Sequence, residues 1–172
     1  MSRIIAIWSL LVVLSPVVAA AQSDDGLTRR EVSDWSVLCT DDGTQCAMQQ
    51  VGRTAQGEDA LLIELNKFAE PQSANGRQFV ARGVLVVPLG VLLPPQIRLE
   101  VDGNDLGTVP FFRCTPDNCQ AQVQLEQNIV DSFIRGARAR FTYVLPSGQG
   151  EAQEVTADVS LSGFTRAYNS LP

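Results

Sequence analysis

Residues 34–46 read Asp34-Trp35-Ser36-Val37-Leu38-Cys39-Thr40-Asp41-Asp42-Gly43-Thr44-Gln45-Cys46. Trp35, Val37 and Cys39 alternate with Asp34, Ser36 and Leu38, the period-two pattern of a strand with one buried face. Thr40 to Gln45 are turn-forming residues, and a second alternating run returns from Cys46 to Arg53. The two cysteines bracket the turn, so the spacing predicts a β-hairpin closed at its end by a Cys39–Cys46 disulfide. The same arrangement recurs downstream, where Cys114 and Cys119 flank Thr115-Pro116-Asp117-Asn118. Its arms are predicted at Leu106 to Arg113 and Gln120 to Gln124. Closing loops this short contributes about 2–2.5 kcal/mol each in the chain-entropy account. Neither pair is a C-x-x-C, and the spacing is looser than that of a four-cysteine zinc site, the competing reading.

Most of the chain between and beyond the hairpins keeps the same period. Leu61, Ile63 and Leu65 alternate with polar neighbours, and a turn is expected over Ala69 to Gly76. A strand follows from about Gln78 to Val87. Ile97, Leu99 and Val101 alternate with Arg98, Glu100 and Asp102, ahead of the turn Asp102-Gly103-Asn104-Asp105. Period two then gives way to 3.6: Ile129, Val130, Phe133, Ile134 and Ala137 share one face of a short helix that Gly136 stops. Strands resume with Ala139, Phe141, Tyr143 and Leu145, and end with Val155, Ala157, Val159 and Leu161. Phe164, Ala167, Tyr168 and Leu171 suit a terminal helical turn. About eight or nine short antiparallel strands with tight turns predict a mostly β fold, an antiparallel β-sandwich with one or two short helices and two local disulfides.

The N-terminus reads as an address. Arg3 precedes an apolar run from Ile4 to Val18, broken by Ser15-Pro16, and Ala19-Ala20-Ala21 offers the small residues a signal peptidase requires. Residues 1–21 are therefore expected to be a secretory signal, 22–31 a flexible polar lead-in and 32–172 a single β-sandwich domain. An uncleaved anchor is the other reading of that run. No later stretch has spanning length, so no transmembrane segment is expected after cleavage. Export to an oxidising compartment agrees with an even cysteine count.

The 172 residues carry 13 Lys+Arg against 19 Asp+Glu, a formal charge of −6, which argues against nucleic acid or an anionic membrane as the main partner. Histidine is absent, which removes the commonest general base and metal ligand. No metal or cofactor is expected. A Ser–Lys dyad would need Lys67, the lone lysine, which reads as a solvated edge residue. Asp24-Asp25 and Asp41-Asp42 are adjacent pairs in turns, unlike two carboxylates aimed at one bond. Arg135, Arg138 and Arg140 form a small basic cluster that reads as a solvated face. Trp35 reads as core. No catalytic residue is assigned.

One segment breaks the pattern. Pro88-Leu89-Gly90-Val91-Leu92-Leu93-Pro94-Pro95 is strongly apolar, yet its prolines and glycine forbid a helix or central strand. Two accounts compete: a crossover whose Leu92 and Leu93 plug one end of the fold, or an exposed apolar ridge for a partner. The candidate binding residues are Leu89, Val91, Leu92 and Leu93.

Taken in order, Asp34-Trp35-Ser36-Val37, Cys39, Cys46, the run Val87 to Pro95, Val101-Asp102-Gly103, Phe111-Phe112-Arg113-Cys114, Cys119 and Ser162-Gly163-Phe164 resemble the invasion-associated locus B family of exported bacterial proteins. The resemblance spans essentially all of the expected mature chain. It implies a compact, immunoglobulin-like sandwich in the periplasm or outer envelope of a Gram-negative bacterium. Some members of that family are associated with entry into host cells, and the family has no established catalytic motif. The expected function is thus a non-catalytic, periplasmic, envelope-bound or secreted protein that binds a protein or envelope component. A structural, stress-tolerance protein without a discrete ligand is the alternative, and a carboxylate-dependent hydrolase a further one.

Overall fold

The computed structural model describes residues 26–148 and 151–172. The expected signal at 1–21 and the start of the lead-in lie outside them. Among the described residues, eleven strands and two short helices follow one another: β1 (Leu27–Val32), β2 (Trp35–Thr40), β3 (Cys46–Arg53), β4 (Asp59–Ala74), β5 (Arg77–Val87), β6 (Ile97–Val101), β7 (Asn104–Val109), β8 (Phe111–Cys114), β9 (Cys119–Leu125), α1 (Gln127–Arg135), β10 (Arg138–Pro146), β11 (Ala152–Ser160) and α2 (Phe164–Asn169). All pairings are antiparallel, and both hairpins carry the expected disulfides, Cys39–Cys46 and Cys114–Cys119.

Three boundaries differ from the sequence expectation. Residues 27–31, read as flexible lead-in, belong to β1, which pairs with β2 from Leu27↔Thr40 to Val32↔Trp35. Their side chains are exposed, so an edge strand held by backbone hydrogen bonds leaves little hydrophobic signal. The turn expected at Ala69 to Gly76 shrinks to Asn75-Gly76, because β4 runs on through Pro71 with a register shift between Lys67 and Gln72. Finally, Leu106 to Arg113 is not one strand. Pro110, which has no N–H for a ladder, divides it into β7 on β6 and β8 on β9.

That division shapes the whole sheet. In place of two separate sheets, the ladder runs β7-β6-β10-β11-β3-β4-β5-β9-β8, with β1 and β2 branching from β3. The β2 ladder occupies β3 only as far as Gln49, and Arg53, at the far end of β3, pairs with Asp158 of β11. A single ladder pair thus spans the seam between the two halves. The strands β7 and β8, neighbours in sequence, stand at opposite ends of the path, so the sheet curls nearly into a barrel. The inward rows meet in one core, among them Trp35, Ile63, Leu65, Leu85, Ile97, Phe141 and Val159. Trp35 is fully buried, as its alternation predicts. Phe164 of α2 packs edge-on against Trp35 at 5.4 Å and against Phe133 of α1 at 5.3 Å, which seats both helices on that core.

Candidate functional site

The segment 88–96 crosses from the end of β5 to the start of β6, from one half of the curled sheet to the other. Gly90 takes φ +90°, a conformation that strains any side-chain-bearing residue, and this lets the chain reverse direction. Leu92 N–H donates to the Val144 carbonyl of β10 at 2.8 Å, and Gln96 N–H closes a turn onto the Leu93 carbonyl at 3.1 Å. Val91 is 8% exposed and joins the core, whereas Leu89 and Leu93 are each 47% exposed. Leu92 is half-buried.

The four residues grouped by the sequence therefore divide. Val91 faces inward, and its burial together with the Leu92–Val144 hydrogen bond holds the crossover in place. Leu92 is pinned by its backbone. Leu89 and Leu93 present apolar surface on a backbone already fixed, flanked by the exposed Pro88, Pro94 and Pro95. Pro88 also lines a shallow apolar depression of about 270 Å³ with Val51, Leu62 and Val86. Nothing in a proline-rich run carries a period from which these roles could be read.

The polar concavities are different in character. One, of about 580 Å³, lies between the 54–60 loop and the β10–β11 hairpin. Two of its acidic residues are paired, Asp59 with Arg53 at 2.8 Å, and Asp158 with Arg140 at 3.0 Å and Arg138 at 3.5 Å. Asp158 thereby pairs two of the three arginines of the basic cluster, and its hydrogen bond raises the Arg140 pKa further. Tyr143 donates to the Ala60 carbonyl at 3.0 Å, with its phenol pushed above the ordinary value by burial.

The turn carboxylates are spoken for as well. Asp42 accepts from Thr40 Oγ1, then from the Thr44 N–H and hydroxyl, and these bonds lower its pKa. Asp102 accepts from the N–H groups of Ala137 and Arg138 at 2.9 and 3.0 Å, tying the 102–103 turn to the chain leaving α1. Glu31 is held low by Arg29 and then Ser36. Lys67 is exposed, with Nζ 3.5 Å from the Leu171 carbonyl. Among the described residues, no group of three or more Cys, Asp or Glu converges to hold a metal, and no helix is long and apolar enough to cross a membrane.

Sequence reasoning missed one surface residue. Phe112, at 67%, is the most exposed of the large hydrophobics. The adjacent Phe111-Phe112 pair carried the signal, since two neighbours on a period-two strand cannot both face inward.

Fold and surface together define a mostly β, antiparallel, disulfide-stapled domain whose most exposed large apolar side chains, Phe112, Leu89 and Leu93, sit on a sheet edge and a crossover loop. The family model described as "Invasion associated locus B (IalB) protein" matches residues 35–172, and the chain belongs to that family. It is 28% identical over 140 residues to invasion protein B of Bartonella bacilliformis, covering 80% of this chain and 70% of that protein. Its fold is similar to the crystal structure of invasion associated protein B from Bartonella henselae, with a TM-score of 0.65 at 21% identity over 83% of this chain and 94% of the other.

Proposed function

We propose that this is an exported, non-catalytic envelope protein that binds another protein or an envelope component through its 88–95 crossover. The observation that carries the reading is the contrast within the loop. Val91 in the core and the Leu92–Val144 hydrogen bond fix the backbone, while Leu89 and Leu93 stand half-exposed. A rigid apolar ridge loses little entropy on binding, which is what a contact surface requires. The names of its relatives, which are invasion proteins, support a role at the cell envelope. A signal at 1–21, a single domain over 32–172 and a periplasmic, outer-envelope or secreted location complete the reading. The face-to-face layering of an immunoglobulin-like sandwich is supported by the single ladder pair that spans the seam between the sheet's two halves.

In-cell photo-crosslinking tests it, with the probe placed at position 93 and, as control, at the exposed position 98 on β6. A discrete recurrent adduct from 93 and none from 98 is the expected outcome. Equal, diffuse labelling from both positions would sink the binding role of the loop.

A further inference from the structure

The strand β9 runs from Cys119 to Leu125, but β8 pairs with it only at Phe111↔Ala121, Arg113↔Gln120 and Cys114↔Cys119. At Pro110 the chain leaves for β7. Residues Gln122 to Leu125 therefore pair with β5 on one side and, among the described residues, with no strand on the other. Successive residues of a strand aim their N–H and C=O groups to opposite sides, so half of these four point into the vacancy. The vacancy is a groove of about 490 Å³ lined by Phe79, Pro110, Phe111, Phe112 and Val123, with Arg77 at its margin. No carboxylate lines it, in a chain of net charge −6. Arg113 stands 6.0 Å from the Phe112 ring centre and Arg77 5.7 Å from that of Phe79; Arg77 also pairs with Glu126.

We infer that this groove takes an extended acidic peptide of a partner protein, which adds to β9 as a short antiparallel strand at the place β8 has vacated. Unpaired backbone groups supply a template for main-chain hydrogen bonds, and alternate side chains of the guest fall on opposite faces. One face meets the aromatic floor. Carboxylates on the other side or at the ends meet the guanidinium group of Arg113, since Arg77 is already paired with Glu126, and that charge selects against basic peptides. The site is independent of the 88–95 loop: Val87, from which that loop departs, lies about 20 Å along β5 from Ala81, the partner of Leu125.

The test uses the full chain and a fluorescein-labelled hexapeptide of alternating valine and glutamate, followed by fluorescence anisotropy and amide hydrogen exchange. Saturable binding is expected, with slowed exchange at residues 122–125. Phe112→Ala and Arg113→Glu should each weaken it tenfold or more. Both positions are exposed, so an unchanged thermal midpoint verifies that the variants are folded. Methylating alternate backbone nitrogens of the peptide should abolish binding, whereas Leu89→Ser with Leu93→Ser should leave it unchanged. Equal affinity for the valine–lysine hexapeptide overturns the inference. So does an absence of saturation at millimolar peptide, or binding without protection at 122–125. Retention on phosphatidylglycerol vesicles in place of peptide binding would replace the strand with a lipid surface and likewise overturn it.

Discussion

The side chain of Gln50 and the backbone of Ser160 exchange two hydrogen bonds: Nε2 donates to the Ser160 carbonyl at 3.0 Å, and Ser160 N–H donates to Oε1 at 2.8 Å. The glutamine amide thus stands in for a ladder pair at the place where β2 has ended and β11 approaches β3. The Trp35 indole N–H reaches the same carbonyl at 3.1 Å. With only Asp158↔Arg53 as a formal strand pair at this seam, Gln50 is a large part of what joins the two halves of the sheet. Gln50→Ala should lower unfolding free energy by about 1–3 kcal/mol, because the part-buried Ser160 N–H loses its partner and the Ser160 carbonyl keeps only the Trp35 indole. Urea denaturation with an unchanged m value would verify it.

Gly163 is the tightest backbone contact on the route to α2. Its φ is +82°, and an added Cβ would lie 2.5 Å from both Ser33 Cβ and the Val32 carbonyl oxygen. Those neighbours belong to the β1–β2 hairpin and cannot yield without moving Trp35, against which Phe164 packs. Gly163→Ala should therefore destabilise by more than the roughly 1 kcal/mol of an unfavourable φ alone. Near-ultraviolet circular dichroism of Trp35 would report the loss of packing.

Burial raises the phenol pKa of both Tyr143 and Tyr168 above the ordinary value of 10.0. A raised value in the folded state means that stability is complete below pH 10. It is lost as pH climbs past 10, because the unfolded chain releases those protons first. Thermal midpoints should thus fall steeply above pH 10. Tyr143→Phe should soften that fall, while costing about 1–2 kcal/mol at neutral pH through the orphaned Ala60 carbonyl.

Acid acts on different groups. Glu31 and Asp42 are both held below their ordinary values, 4.5 and 3.8, the first by Arg29 and the second by Thr40. A lowered value contributes stability that is present above the ordinary pKa and lost as pH falls through the folded one. Below about pH 4 the β1–β2 and β2–β3 hairpins should therefore loosen first. Amide exchange at Arg29 to Thr44, measured at pH 3 and pH 6, would show the difference.

The two disulfides sit at directly opposed positions, Cys39↔Cys46 and Cys114↔Cys119, on hairpins of unlike support. Replacing both members of either pair by serine should lower stability by about 2 kcal/mol, the loop-entropy value. The local consequence differs. The strand β3 is also paired with β4, so the first hairpin should persist. The short edge strand β8 has only β9, so it should detach. Exchange at Phe111 to Arg113 would separate the two cases.

Much of this architecture is legible in the chain. Alternation places Trp35, Ile63, Leu99, Phe141 and Val159 inside, turn residues and cysteine spacing predict both stapled hairpins, and the switch to a 3.6 period predicts α1 with its stop at Gly136. Those features are local, or set by which face of a strand meets water. Ile134, exposed within α1, and Ala137, which lies beyond the helix end at Arg135, already escape that logic.

What the sequence by itself determined is therefore the class of the fold, its two disulfides and the face that the inner strands bury, because these depend on spacing within a dozen residues. Tertiary structure alone decided that the sheet curls on itself through the Gln50–Ser160 seam, that Pro110 splits one expected strand between opposite sheet ends, and that Val91 turns inward while Leu89 and Leu93 turn out. Each of those outcomes depends on which distant strand supplies the next hydrogen-bond partner or core wall, and no local period encodes that choice.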